Sequence, residues 1–211
     1  MRFITLSDTH NKHKHLKKLP SADAIIHAGD ITSRGSEQEV SDFLKWFSGL
    51  DYAYKIFIAG NHDFLFENAS AAQLKELIPS NIIYLNDSGV VIEGIHIWGS
   101  PVTPWFHDWA FNRQRGKEIA QHWNLIPNNT DILVTHGPVY QILDKTTSGS
   151  DAGCEDLLEA VKRTKPSIFI SGHIHEAHGE VTLLGTQFIN ASVLDENYKL
   201  SHAPILFELS K

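Results

Sequence analysis

Five apolar runs rich in β-branched and aromatic residues, 3–6, 24–27, 55–58, 132–134 and 168–170, each stop just short of a residue able to bind a metal or move a proton. The residues so placed are Asp8, Asp30, Asn61, His136 and His173. Runs of this length read as strands, and the segments between them (36–48, 69–77, 113–122 and 153–164) mix apolar residues at helical spacing with charged ones. A more closely spaced set of strand signals, at 82–85, 90–93, 95–98, 181–184, 187–190 and 205–209, is partly hairpin-like, with Gly94 and Gly185 at turns. The expected fold is therefore α/β: a four-layer αββα sandwich of two mixed sheets flanked by helices, built as a single domain over 1–211. Ligands of open α/β sheets sit beyond the carboxyl ends of the strands, which is where the five residues fall.

Bulk properties remove several classes. Cys154 is the only cysteine, so neither an intramolecular disulfide nor a thiolate-rich zinc site is available. Any metal must bind through imidazole, carboxylate and amide groups. A formal net charge of −7 argues against a broad basic surface gripping long nucleic acid, while leaving a small phosphate substrate possible. No apolar run approaches the length of a membrane helix, and Met1-Arg2-Phe3 leads straight into the first strand with no room for a signal peptide; the expected location is cytoplasmic.

The motifs themselves have a chemical logic. In Asp8-Thr9-His10 two candidate ligands are separated by one residue, so both side chains point the same way as a strand opens into its loop. Gly29-Asp30 combines close backbone approach with a carboxylate whose two oxygens can serve two ions. In Gly60-Asn61-His62-Asp63 the Asn61 amide oxygen can coordinate while His62 faces a substrate; Asp63 either orients the His62 ring or caps the following segment. Thr135-His136-Gly137 and Gly172-His173-Ile174-His175 add three imidazoles after buried-looking strands. The donor mixture suits manganese, iron or zinc better than magnesium or calcium.

This ordered set resembles the calcineurin-like metallophosphoesterase superfamily along almost the whole chain. The stretch from Trp98 to Asn112, with Arg113 and Arg115 after it, is similar to the branch of metallophosphoesterase-domain-containing proteins, related to class III cyclic-nucleotide phosphodiesterases. The resemblance implies two divalent ions, one held by Asp8, His10, Asp30 and His175, the other by Asp30, Asn61, His136 and His173. Asp30 is the implied bridge and His62 the implied catalytic histidine. It further implies hydrolysis of a small phosphoester, most naturally a small or cyclic nucleotide diester, through attack of a hydroxide held between the ions while His62 assists the leaving group. A phosphomonoesterase or protein phosphatase would share every ligand, and an inactive scaffold would share the fold. The residues do not fix an oligomeric state.

Around this set, the aromatic segment Trp105, Phe106, Trp109 and Phe111 is expected either to stack a nucleobase or to plug the core. His107 either lines the pocket or steadies its loop, and Arg113 and Arg115 either meet substrate phosphate or lie in solvent. His13, His15, His122 and His202 are expected to be solvated, His27 and His96 to be structural, His178 to lie at the surface, and Cys154 to be packed. The small polar stretch 146–153 is expected to be an irregular, mobile loop near the site.

Overall fold

A computed structural model describes residues 1–16 and 18–210. In chain order the elements begin with β1 (Arg2–Leu6), β2 (Ala24–Ala28), α1 (Glu37–Ser48), β3 (Tyr54–Ile58), α2 (Phe64–Asn68), α3 (Ala71–Leu77) and β4 (Ile83–Tyr84). There follow β5 (Ser88–Ile92), β6 (Ile95–Ser100), β7 (Thr103–Pro104), β8 (Asn112–Arg113), α4 (Lys117–Trp123), β9 (Ile132–Thr135), α5 (Glu155–Thr164) and β10 (Ile168–Ser171). The hairpin of β11 (Gly179–Leu183) and β12 (Thr186–Asn190) and the strand β13 (Ile205–Glu208) complete the chain.

Two large sheets result. One has the order β13-β1-β2-β3-β4, parallel except for β13; the other has the order β11-β12-β10-β9-β6-β5, parallel in its middle with antiparallel edges β11 and β5. Strand alternation sorts the side chains into layers. Ala24, Ile26, Ile56 and Ile58 of the first sheet meet Ile132, Val134, Ile168 and Ile170 of the second in a core between the sheets. The opposite faces are covered by helices: Ile25 and Phe57 pack against Val40, Phe43 and Phe47 of α1, and Leu133 and Phe169 against Trp123 of α4 and Leu157 and Val161 of α5. The four-layer arrangement read from the sequence is the arrangement found.

Local signals explain most boundaries. Ser36 and Glu39 form a reciprocal capping box that starts α1, and Ser70 with Gln73 does the same for α3. Gly94 and Gly185 sit at φ +79° and +83°, as tight turns require. The helix expected over 113–122 begins only at Lys117, because Asn112 and Arg113 are drawn into the short parallel pair with Thr103 and Pro104. The one-turn helix α2 directly after Asp63 was not apparent from periodicity, being only five residues long.

At one end of the sandwich the two sheets are joined by backbone hydrogen bonds. The Ser7 N–H donates to the Ala191 carbonyl (2.8 Å) and the Val193 N–H to the Ser7 carbonyl (3.1 Å), while within each sheet the Asp8 N–H reaches Gly29 (2.9 Å) and the Gly172 N–H reaches His136 (2.9 Å). That end carries the carboxyl termini of β1, β2, β3, β9 and β10.

Candidate metal centre

Every residue in the implied ligand set converges on this seam. Acidic and imidazole groups cluster as Asp8, His10 and His175, as His10, Asp30 and His62, and as Asp30, His136 and His173, with the ligating atoms of each group within 4.8 Å of one another. Asp30 belongs to two of these groups. Its Oδ1 accepts from the His62 N–H (2.8 Å), while Oδ2 lies 3.5 Å from His10 Nε2 and 3.3 Å from His136 Nε2. On the other side Asp8 Oδ1 lies 3.5 Å from His175 Nε2. Asp8 is also held by the His173 N–H and by the Ser192 hydroxyl.

The backbone is bent to make this convergence possible. Asp8, His10, Asp30 and His173 all adopt left-handed conformations, with φ of 55°, 38°, 53° and 68°. Such conformations cost non-glycine residues free energy and persist where surrounding structure enforces them, most often at functional sites. Glycines supply the room: a Cβ on Gly29 (φ +100°) would come within 2.5 Å of His136 Nδ1, and one on Gly60 would collide with the Asp30 carboxylate.

Three imidazoles are locked in one tautomer. His10 Nδ1 lies 3.0 Å from the Thr32 carbonyl, His136 Nδ1 2.9 Å from Ala28 and His175 Nδ1 3.0 Å from Asp195. A carbonyl can only accept, so in each ring Nδ1 carries a proton and Nε2 is the nitrogen turned toward the carboxylates. His136 Nε2 also faces Asn61 Oδ1 at 2.8 Å, and the buried His10 Nε2 has no hydrogen-bond partner among the described residues. Lone pairs of nitrogen and oxygen facing one another at 2.8–3.5 Å repel unless positive charge lies between them. The donor set and its orientation therefore fit divalent cations, with Asp30 placed to serve both.

The titration behaviour expresses the same frustration. Burial opposes charge on His136, but Asp30, with lesser help from Asp8 and the Ala28 carbonyl, raises it to about 9. His175 is likewise raised to about 9 as Asp8, the Asp195 carbonyl and Asp30 overcome burial. His10 and His173 fall to about 4: burial lowers both, and neighbouring imidazoles add to it. Asp8 and Asp30 are held well below the usual carboxylate range, the surrounding histidines outweighing burial. A proton on His136 and His175 supplies part of the positive charge for which the site is shaped.

His62 touches the site differently. Its Nδ1 lies 2.8 Å from the Ser33 carbonyl, its ring lies 4.2 Å from that of Trp109 at 31°, and it lines a cleft of about 380 Å³. Asp63, expected to orient that ring or to cap α2, does neither. Its Oδ1 accepts from the N–H (2.9 Å) and hydroxyl (2.6 Å) of Thr32, and its Oδ2 from Gly60 (2.8 Å) and Ile31 (3.2 Å), with no side-chain cap to α2. It clasps the Asp30 loop to the Asn61 loop from beneath. Burial and the nearby Asp30 raise it to about 6 against those hydrogen bonds.

The rim residues divide. Trp105 (49% exposed), Phe106 and Trp109 line the cleft, whereas Phe111 is buried in the core. His107 is exposed, packs its ring on Phe106 and does not line the cleft. Arg113 pairs with Glu67 at 3.3 Å outside the cleft, and Arg115 lines it instead, donating to the carbonyls of Gly153 (2.9 Å) and Ala152 (3.2 Å). The 146–153 stretch is irregular and borders the cleft through Thr146 and Ala152, but it is pinned by Lys145–Asp151 (2.6 Å) and by the Thr147 N–H to Glu176 (2.6 Å). Tyr198, not singled out from the sequence, stands with its ring centroid 5.0 Å from those of both His10 and His175.

Among the remaining histidines, His13 corrects the expectation of solvent. It is fully buried against Phe43 and Trp46, because the turn at His13–His15 directs it inward from its charged neighbours. His122 is paired with Asp87 at 2.6 Å, and His202 stacks on His178 at 4.4 Å. His27 bonds Thr9 and Cys154 is buried, both as expected.

Comparison with known proteins agrees with this geometry. The model of the family described as calcineurin-like phosphoesterase matches residues 1–177. Metallophosphoesterase domain-containing protein 1 of Homo sapiens, and its counterpart in Mus musculus, are each 39% identical over 99% of this chain and 71% of their own length. A solved crystal structure covers 99% of this chain and 99% of its own with a TM-score of 0.69 at 15% identity, a likeness of fold. Among the described residues no helix is long and apolar enough to cross a membrane. With a family model matched over most of its length, a relative 39% identical along 99% of it and a cluster of candidate cation ligands at the strand ends, this chain belongs to the calcineurin-like phosphoesterase family and is a metal-dependent phosphoester hydrolase.

Proposed function

We propose that the protein is a phosphodiesterase acting on small nucleotide diesters, cyclic ones included, with two transition-metal ions of which manganese is the first candidate and iron or zinc the alternatives. The observation that carries this reading is the position of His62, between the cluster of ligating atoms and the aromatic wall of Trp105, Phe106 and Trp109. Asp8, His10, Asp30 and His175 would hold one ion and Asp30, Asn61, His136 and His173 the other. Bound there, such a pair supplies acidification of water and neutralisation of the phosphoryl oxygens.

The chain's own groups do the rest. Two carboxylates, Asp8 and Asp30, leave the loaded site with a surplus of positive charge, so an anionic diester is drawn into the cleft. His62 is steadied by the Ser33 carbonyl at Nδ1, so the proton it passes to the departing oxygen must be carried at Nε2. Trp109 covers one face of that ring and limits water around it. Trp105 and Phe106, exposed at the rim, offer flat apolar surface on which a base can stack.

The test is a manganese-supplemented panel of 2′,3′- and 3′,5′-cyclic nucleotides, simple diesters and monoesters. Higher kcat/KM for the diesters supports the reading; hydrolysis of monoesters alone would assign a phosphomonoesterase. No bound metal together with no turnover would indicate a scaffold.

A further inference from the structure

We propose that the site is shaped for an acyclic diester whose two substituents occupy separate lobes meeting at His62. The inference rests on the phosphodiesterase reading and narrows it.

Two cavities adjoin the cluster. The first, of about 380 Å³, contains Asn61, His173, Trp105, Phe106 and Arg115 in its wall; the second, of about 510 Å³, is bounded by His10, Ser33, Arg34 and Phe64. Three residues belong to both walls: His62, Trp109 and Tyr198. They are linked through His10: His62 packs on Trp109 at 4.2 Å and, edge to face, on His10 at 4.6 Å, and Tyr198 packs on His10 at 5.0 Å. The candidate proton donor therefore stands where the lobes join, and the ligand histidines are shared out, His10 opening on one lobe and His173 on the other.

The lobes are chemically alike. Each has aromatic surface, Trp105 and Phe106 in the first and Phe64 in the second, with Trp109 common to both. Each also has one guanidinium, Arg115 or Arg34, with no carboxylate within 4.0 Å among the described residues. A phosphomonoester has one substituent and would leave a lobe empty. A cyclic nucleotide joins both ester oxygens to a single sugar and likewise presents one bulky group. An acyclic diester sends two arms away from phosphorus in different directions, and two flat or anionic arms match two aromatic, cationic lobes.

Binding can be separated from turnover with diphenyl phosphate and methyl phenyl phosphate as probes of the manganese-loaded protein, titrated calorimetrically. The expected Kd for the diphenyl ester is lower by about tenfold, corresponding to burial of one additional ring. Kinetically, phenyl 4-nitrophenyl phosphate should exceed methyl 4-nitrophenyl phosphate in kcat/KM by a similar factor, the leaving group being the same. Phe64→Ala should erase most of that preference, and Arg34→Ala, at an exposed position that does not endanger folding, should reduce the larger ester's kcat/KM more than the smaller one's. Equal Kd and equal kcat/KM for the two esters would overturn the two-lobe assignment while leaving the diesterase reading standing. Cleavage of 4-nitrophenyl phosphate with neither diester attacked would overturn both.

Discussion

The floor of the cleft and its rim are built on opposite principles. On the floor, Asp8, His10, Asp30 and His136 are at most 4% exposed, several in strained backbone conformations, and each is fixed by partners from other strands. At the rim, Trp105 is about half exposed and its indole N–H bonds only Asp108, three residues away. The floor is therefore over-determined by the fold, whereas the exposed indole of Trp105 is held by a bond within its own loop. Charge-bearing atoms that must converge within a few ångströms need the former; surfaces that select among substrates tolerate the latter.

Substitutions test that contrast directly. Asp30→Ala, at the point where both ligand groups meet, should abolish turnover and strip bound metal, measured by elemental analysis beside hydrolysis; retained metal with normal rate would break the bridging assignment. His62→Ala should lower kcat by about 10²-fold or more while the protein still binds metal, because only proton transfer is lost. Equal activity of the metal-replete variant and the parent would refute its role. Asp63→Asn should cost about 1–3 kcal/mol in chemical denaturation, since an amide NH₂ must replace an oxygen that accepts from buried N–H groups. Trp105→Ala should change stability by less than about 0.5 kcal/mol and act on KM, sharpening the distinction between rim and floor.

The smallest effect concerns His13, far from the rim. Burial, the largest influence, lowers its pKa from the ordinary 6.5 despite Asp42. Above that ordinary value both states are neutral and no pH dependence arises. As pH falls below it the unfolded chain takes up a proton that the folded one refuses, so stability declines toward the lowered folded value. In metal-free protein, His13→Phe should flatten the decline in urea midpoint between about pH 7 and pH 5; an unchanged slope would show that His13 is not responsible.

The same division governs what could be read from the sequence. The floor was legible because Asp8, Asp30, Asn61, His136 and His173 each come just after an apolar strand and the strand ends of an α/β sandwich converge. What fixes these side chains and their neighbours was not: the carbonyls of Ala28, Thr32 and Asp195 that orient three imidazoles have no side-chain signature. Asp63 looked like a partner for its neighbour His62, yet its bonds reach back to Gly60 and to Ile31 and Thr32 on another loop. At the rim, Arg113 and Arg115 were indistinguishable by position, and the short strand pairing of Asn112–Arg113 decided which one enters the cleft. Tyr198 had no signal in the sequence because the turn that presents it carries no motif.

The carbonyl-locked tautomers carry one more consequence. With Nδ1 of His10, His136 and His175 already engaged, a further proton has only Nε2 to occupy, the atom that the proposed ions would need. Acid and metal would thus compete atom for atom, and metal content followed by elemental analysis should fall as the pH is lowered.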